Sequence, residues 1–227
     1  MACELFIIVT ACNEEARLGA TLRALAQAFP SAPVWVADDG STDATPQIAA
    51  DAGARVVRSE TVVGKGEVAT MAARDALGLL ALDGRTVALL CDGDLGESAA
   101  RLGPLVDAVR GGDVDLAVAA FTRRVGGGLG LAVRFARWAI RRRCGFHALA
   151  PISGQRALRA HTLEDVLPFA HGFGMEIGMT IDAVRAGHRV SEIELDLSHR
   201  ATGRTLMGFA HRSRQLVDFV RAYAASR

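Results

Sequence analysis

The sequence predicts an α/β fold: a mostly parallel β-sheet with helices on both faces. Three observations carry that expectation. Apolar runs of strand length alternate with segments of helical periodicity through the first 120 residues. The first run is apolar at consecutive positions, as in a strand covered on both faces. Polar clusters follow the apolar runs directly, at the strand ends where open α/β sheets bind ligands.

The elements follow in order. Residues Leu5–Ala11 (LFIIVTA) form the first strand; Asn13 is a candidate N-cap, and Leu18, Leu22 and Leu25 recur at helical spacing. A second strand at 34–37 ends in Asp38-Asp39-Gly40-Ser41, and Thr42 or Asp43 caps a helix that runs to Ala52 and stops at Gly53. Arg55–Arg58 is a short third strand, and Gly64-Lys65-Gly66 precedes a helix through Leu82. A fourth strand at 86–91 ends in Asp92-Gly93-Asp94, followed by a helix at 99–110 and a strand at 115–121. The second half is less regular. It predicts a glycine loop at 125–130, a basic amphipathic helix at 131–143, a turn or short strand at 151–154, a helix at 175–186 and a strand at 190–197. A polar loop at 198–204 and a last helix at 206–225 complete it. No repeat, low-complexity tract or linker divides the 227 residues, so a single domain, 1–227, is expected.

Half of the residues are apolar and 22% are charged, an ordinary globular composition with ample material for a core. Aromatic residues make up only 5%, which argues against a base-stacking module, and no nucleic-acid partner is expected. No apolar run is long enough to span a bilayer. Val9-Thr10-Ala11-Cys12 resembles a lipoprotein cleavage site, but no Lys or Arg precedes the apolar stretch and Glu4 stands where positive charge belongs, so the segment reads as a buried strand. Cys3, Cys12, Cys91 and Cys144 are scattered and read as reduced core thiols of a cytoplasmic protein.

Charge is split along the chain. Residues 1–120 hold 9 basic and 17 acidic side chains, net −8; residues 121–227 hold 17 and 8, net +9. An acidic half suited to a cation is joined to a basic half suited to an anionic partner. Of the 26 basic residues only Lys65 is a lysine.

Three motifs carry chemistry. Asp92-Gly93-Asp94 puts two carboxylates at a strand end, where they can reach a hard divalent cation and through it a diphosphate; a solvated turn is the plain alternative. In Asp38-Asp39-Gly40-Ser41-Thr42-Asp43 the glycine permits a tight turn and the carboxylates can accept from a nucleobase N–H and ribose hydroxyls, while helix capping explains only Thr42 and Asp43. In Gly64-Lys65-Gly66-Glu67 two glycines allow close backbone approach, and the lone lysine offers a point charge to phosphate near a helix N-terminus. The spacing is not that of a P-loop.

Taken together, the motifs resemble family 2 glycosyltransferases of the GT-A fold. VTACNEE is similar to their opening strand and turn, VADDGSTD to their nucleotide-binding segment, VVGKGEVATMAARDAL to their Gly-Lys-Gly helix and LLCDGDL to their Asp-x-Asp strand. PISGQRALR is similar to a segment of polyprenyl-phosphate sugar transferases, and GKGE, GFGMEIGMTID and SHR together resemble glucosyl-3-phosphoglycerate synthases. The resemblance implies a nucleotide-sugar and metal half at 1–120 and an acceptor half at 121–227. It implies that Asp38 and Asp39 bind the nucleoside, that Lys65 lies near the donor diphosphate, and that Asp92, Asp94 and His199 serve Mg²⁺ or Mn²⁺. Gly154, Arg200 and Arg204 fall on the substrate side, and Glu176 where members place an acceptor-side acidic residue. Glu176 is followed by Ile177, so the Glu-Asp pair typical of inverting members is absent and the stereochemical outcome stays open.

The expected reaction moves a sugar from a nucleoside-diphosphate donor to an acceptor, with catalysis by Lys65, Asp94 and Glu176, the last as base if the reaction inverts. The basic half favours a phosphorylated acceptor, either polyprenyl phosphate or a small phosphoacid. Arg134, Arg137 and Arg141 to Arg143, with Phe135 and Trp138 between them, suit that acceptor, an anionic membrane met peripherally, or an ordinary solvated helix face. A homodimer is compatible with the sequence. Two rivals remain: a non-catalytic nucleotide-sugar binder, and a sugar-1-phosphate nucleotidyltransferase, disfavoured because Cys12-Asn13-Glu14-Glu15 stands where a glycine-rich signature belongs.

Overall fold

The computed structural model describes residues 3–121 and 131–197. The strands are β1 (Leu5–Ala11), β2 (Val34–Asp38), β3 (Arg55–Arg58), β4 (Val87–Asp92), β5 (Leu116–Phe121), β6 (Arg156–Arg159) and β7 (Val190–Leu195). The helices are α1 (Leu18–Ala28), α2 (Thr45–Asp51), α3 (Lys65–Leu79), α4 (Gly103–Arg110), α5 (Leu131–Cys144), α6 (Ala160–Asp165) and α7 (Met175–Arg185). The strands form one sheet in the order β3-β2-β1-β4-β6-β5-β7. Neighbours are parallel except on the two sides of β6, which runs antiparallel to β4 and to β5.

Alternation along β1 explains the layering, because successive side chains of a strand face opposite ways. Leu5, Ile7, Val9 and Ala11 face a core shared with α1 and α4; Phe6 and Ile8 face a second core with α3 and α7. Every residue of β1 is buried, so Val9-Thr10-Ala11 of the run that resembles a lipoprotein site belongs to an interior strand of the sheet. A third cluster joins Ala136, Ala139 and Ile140 of α5 to Ile177 and Ile181 of α7. Helix α7 is thus covered by the sheet on one side and by α5 on the other, which is why MEIGMTIDAV is apolar nearly all round.

Some local expectations change. The turn read at 151–154 leads into β6 and α6, both missed because four and six residues are too short for periodicity to register. The helix at 99–110 is a 3-10 segment, Gly96–Leu102, followed by α4, which starts beside Pro104. Asn13 is not an N-cap: it has φ 56°, α1 starts at Leu18, and the Asn13 side-chain oxygen accepts from the Thr42 N–H instead. Of the four thiols, all free, only Cys91 is buried and Cys12 is exposed. Among the described residues no helix is long and apolar enough to cross a membrane. The loop at 125–130 and the elements expected at 198–227 lie outside the described residues.

Candidate active site

Sheet register assembles the site. At the carboxyl edge of β1, Thr10 lies opposite Asp92 of β4 and Ala11 opposite Asp38 of β2. The motifs at Asp38-Asp39 and Asp92-Gly93-Asp94 therefore flank one strand end. Two helices begin at the same edge, α3 with Lys65 as its first residue and α7 with Glu176 as its second.

Lys65 links these elements. Its Nζ donates to Asp92 Oδ1 at 2.6 Å and to Glu176 Oε1 at 2.7 Å. The Lys65 side chain is 20% exposed, Asp92 32% and Glu176 6%, so the cluster is shielded yet open on one side. A helix N-terminus suits the Glu176 carboxylate and disfavours the Lys65 ammonium; the two carboxylates offset that. Burial alone would pull the Lys65 pKa down. Asp92 and Glu176 outweigh it and hold the ammonium above the ordinary lysine range. Burial likewise would raise Asp92, but the Lys65 charge and hydrogen bonds from Lys65, Gln155 and Thr10 keep this carboxyl below the usual range.

The entry to β6 completes the surroundings of Asp92. Gln155 Nε2 donates to Asp92 Oδ2 at 2.8 Å, and Thr10 Oγ1 donates to Asp92 Oδ1 at 3.1 Å. A Cβ on Gly154 would stand 2.6 Å from Asp92 Oδ2 and 2.7 Å from Lys65 Nζ, so any side chain there would displace the ends of both. Because β6 is antiparallel, its first residues, and not its last, face this edge. The sequence carried no recognised signal for Gln155 beyond its place in the PISGQRALR segment.

The aspartates after β2 serve the fold as well. Asp38 is fully buried; its Oδ1 accepts from the Ser41 N–H and hydroxyl, and its Oδ2 lies 3.1 Å from Arg58 Nε. Asp39 accepts from the backbone N–H of Val63 at 2.7 Å and of Gly64 at 3.0 Å. That ties the loop before α3 to the end of β2. The turn after β1 is fastened to the segment leading from β2 into α2: Ser41 Oγ accepts from Asn13 N, and Thr45 Oγ1 from Glu14 N.

The glycines beside Lys65 divide their work. Gly64 has φ 120°, which a residue with Cβ rarely adopts. Gly66 is needed for packing, because a Cβ there would collide with the Ala170 carbonyl oxygen. Gly64 is also closely packed, since a Cβ there would stand 2.6 Å from Glu67 Oε2, so both glycines serve the packing around the start of α3.

Asp94 is half-buried on the turn after β4, and its carbonyl accepts from Arg17 Nη1 at 3.0 Å. The structure thus gathers Asp38, Asp39, Lys65, Asp92, Asp94, Gly154 and Glu176 at one sheet edge. His199, Arg200 and Arg204 lie outside the described residues. Among the described residues no three His, Cys, Asp or Glu side chains converge as a metal cage.

A sheet of this order, with acidic turns and two helix starts at one edge, defines a nucleotide-binding α/β protein of the GT-A type. The model of the glycosyl transferase family 2 matches residues 6–167, and the chain belongs to that family; it is a glycosyltransferase. Solved structures agree. Glucosyl-3-phosphoglycerate synthase from Mycobacterium tuberculosis, in complex with Mn²⁺, uridine diphosphate and phosphoglyceric acid, is 27% identical with a TM-score of 0.76, over 99% of this chain and 80% of that one. The same enzyme with Mg²⁺ and uridine diphosphate is 28% identical with a TM-score of 0.74, over 97% and 79%. A mycobacterial protein is 27% identical with a TM-score of 0.76, over 96% and 73%. A search of curated proteins finds no match.

Proposed function

We propose that the chain is a divalent-metal-dependent glycosyltransferase that takes a sugar from a uridine-diphosphate-type donor and gives it to a phosphorylated acceptor. The observation that carries this reading is the Lys65 ammonium shared by Asp92 and Glu176. A cation held between two carboxylates at a strand end is placed to exchange them for a diphosphate. The similar structures support the donor, metal and acceptor classes, since those proteins hold uridine diphosphate, Mn²⁺ or Mg²⁺, and phosphoglyceric acid.

The donor set suits a hard cation. Asp92 and Asp94 supply oxygen ligands, and His199 is the further ligand that the resemblance implies. Such a cation, when bound, neutralises charge on the leaving diphosphate. The chain's own groups do the rest. Lys65 adds a second positive charge at the diphosphate. Asp39 holds the nucleoside side, with Asp38 behind it. Glu176 orients the acceptor or takes its proton if the reaction inverts, and Gly154 keeps the space beside Asp92 open. Arg200 and Arg204 position the acceptor phosphate. Residues 1–120 and 121–227 act as one catalytic unit.

The test is a panel of nucleotide sugars scored by thermal stabilisation, with and without Mn²⁺, followed by transfer to 3-phosphoglycerate and to a polyprenyl phosphate. Stabilisation that needs both a uridine-diphosphate sugar and metal supports the reading. Indifference to every donor would refute it.

A second reading concerns membranes. Trp138 of α5 is 51% exposed beside Phe135, and Leu149 and Ile152 are exposed in the loop tied to α5 by Arg137. With Arg134, Arg141 and Arg142 exposed on the helix, this face suits peripheral contact with anionic lipid. Liposome binding that rises with anionic lipid and falls with salt supports it. Its absence leaves a small phosphoacid as the acceptor class.

A further inference from the structure

Arg156 is the largest fully buried side chain among the described residues, 1% exposed. Burying a guanidinium is costly unless a carboxylate pairs with it and its five N–H donors are satisfied. Neither condition is met. Its Nε donates to the Ser153 carbonyl at 2.8 Å and its Nη1 to Thr180 Oγ1 at 2.9 Å. Its Nη2 is buried with no hydrogen-bond partner among the described residues. None of the ion pairs formed among the described residues includes it.

The two hydrogen bonds explain a staple between the entry to β6 and α7. They do not explain a charge, which a neutral donor could replace. The location does. Thr180, which accepts from Arg156, donates to the Glu176 carbonyl one helical turn back, at 3.0 Å. Gln155, the preceding residue, donates to Asp92. Arg156 is therefore one residue from the Gln155 that holds Asp92 and is linked through Thr180 to the turn of α7 that carries Glu176. Burial pulls its pKa down to about 10, and the Glu176, Glu192 and Asp92 carboxylates favour its charge, so it stays a cation at neutral pH.

Lys65 is the cation in direct contact with Asp92 and Glu176. In the role proposed above it turns to the donor diphosphate; Asp92 keeps Gln155 and Thr10 and would take the metal, whereas the Glu176 carboxylate loses the ammonium that pairs with it. We propose that Arg156 is a positioning residue, a fixed positive charge near Asp92 and Glu176 that lets Lys65 leave them for the donor. Its effect falls on donor binding, through Lys65, and not on contact with the substrate. This inference rests on the donor-site reading of the previous section.

Lys65 is the chain's single lysine, so protein labelled with 15N-lysine gives one side-chain ammonium resonance, a direct report on the cluster. The experiment titrates UDP with Mg²⁺ into wild type, Arg156→Met and Arg156→Lys. It follows that resonance by NMR and the affinity by calorimetry, with thermal unfolding as the control for folding. Wild type should bind, with a shift of the Lys65 signal. Arg156→Met should bind about tenfold more weakly, the size of effect a neighbouring charge has on an ionised group. Its Lys65 signal should stay at the donor-free position at a UDP concentration that shifts wild type. Arg156→Lys keeps the charge and loses the fork of hydrogen bonds, so it should recover most of the affinity even where it unfolds at lower temperature. In a Glu176→Gln background, Arg156→Met should change UDP affinity less than twofold, because one of the charges it offsets is gone.

Wild-type affinity in Arg156→Met would overturn the proposal, and so would an Arg156→Lys that binds as weakly as Arg156→Met; Arg156 would then be a staple only. If Arg156→Met does not fold, Arg156→Gln replaces it with the same expected outcomes, and the recovery by Arg156→Lys still decides. Failure of wild type to bind UDP with Mg²⁺ overturns the donor reading itself, and this proposal with it.

Discussion

The two ends of the sheet use charge in opposite ways. At the end away from the site, Asp115 precedes β5 and accepts from Arg189 Nε at 3.0 Å, Nη2 at 2.9 Å and the Arg189 backbone N–H at 2.9 Å. The arginine side chain is 58% exposed. This pair closes the β5–β7 edge: both Asp115 carboxylate oxygens are engaged by Arg189, whose side chain faces solvent. At the site end, Lys65 is divided between two carboxylates, Asp92 is divided between Lys65, Gln155 and Thr10, and Arg156 has no full set of partners among the described residues. The contrast separates charge that fastens chain to chain from charge that can change partners. A bidentate, solvent-facing pair has little to gain by exchange. A shielded cluster with shared partners exchanges at low cost once an anionic ligand arrives.

Substitutions can break or sharpen that comparison, and the largest effect belongs to the site end. Asp94→Ala should lower transfer about 10²- to 10³-fold with an unchanged circular dichroism spectrum, the scale of removing one charge-stabilising group. Equal turnover of wild type with EDTA and with Mn²⁺ would defeat the metal role. Lys65→Met should lower both donor affinity and stability, the latter by about 3 kcal/mol, because it strands the buried Glu176 carboxylate. Chemical denaturation measures the cost; a variant as stable as wild type would mean that the carboxylates do not need the ammonium. Gly154→Ala sets a Cβ against Asp92 and Lys65. It should cost about 1–3 kcal/mol of stability and most of the donor affinity, since those flexible ends must shift away from their places.

At the other end the effects should be small and follow pH. Asp115 is held at about 2 by its Arg189 hydrogen bonds, below the ordinary value of 3.8. A carboxyl depressed in the folded state is protonated first in the unfolded state as pH falls. Its contribution is therefore complete above the unfolded value and disappears as pH drops through about 2. Asp115→Asn should cost up to about 1 kcal/mol at neutral pH and almost nothing near pH 2. A gap that widens on acidification would reverse the assignment. The smallest change is expected from altering Arg141, Arg142 and Arg143 together to Gln, within about 0.5 kcal/mol of stability, as for surface positions. A selective loss of phosphorylated over unphosphorylated acceptor in that variant would move the face from solvated surface to acceptor contact.

Much of this was legible from residues. The parallel core, the depth of β1 and the strand-end positions of Asp38, Asp39, Asp92 and Asp94 follow from apolar runs that stop at acidic turns. The importance of Lys65 followed from composition, as the single lysine of the chain. What escaped was non-local. Nothing in a four-residue strand announces that it turns against its neighbours, so the approach of Gln155 and Arg156 to the site could not be read from periodicity. Arg156 looks like any other arginine until its burial is known. Gly66 and Gly64 have the same letter in the motif and different reasons, one a neighbouring carbonyl and the other a backbone angle. Asn13 reads as a helix cap in the sequence, whereas its side-chain oxygen accepts from the Thr42 N–H and the Asn13 and Glu14 amides fasten the loop after β2.

The reversed strand β6 also bears on synthesis. Strands β3, β2, β1 and β4 are contiguous in the sheet and complete by Asp92, so this part can pair as soon as it leaves the ribosome. Strand β5 comes next in the chain but has no place on that sheet until residues 156–159 arrive to stand between it and β4. A nascent chain therefore carries an unpaired β4 edge, flanked by the apolar run LAVAAF, for the time needed to make some 60 residues, about 3–12 s at ordinary elongation rates. Pausing before β6 prolongs exposure of a sticky edge, whereas pausing after it does not. Translation speed across this short stretch is thus a lever on yield that acts without altering a single side chain of the mature enzyme.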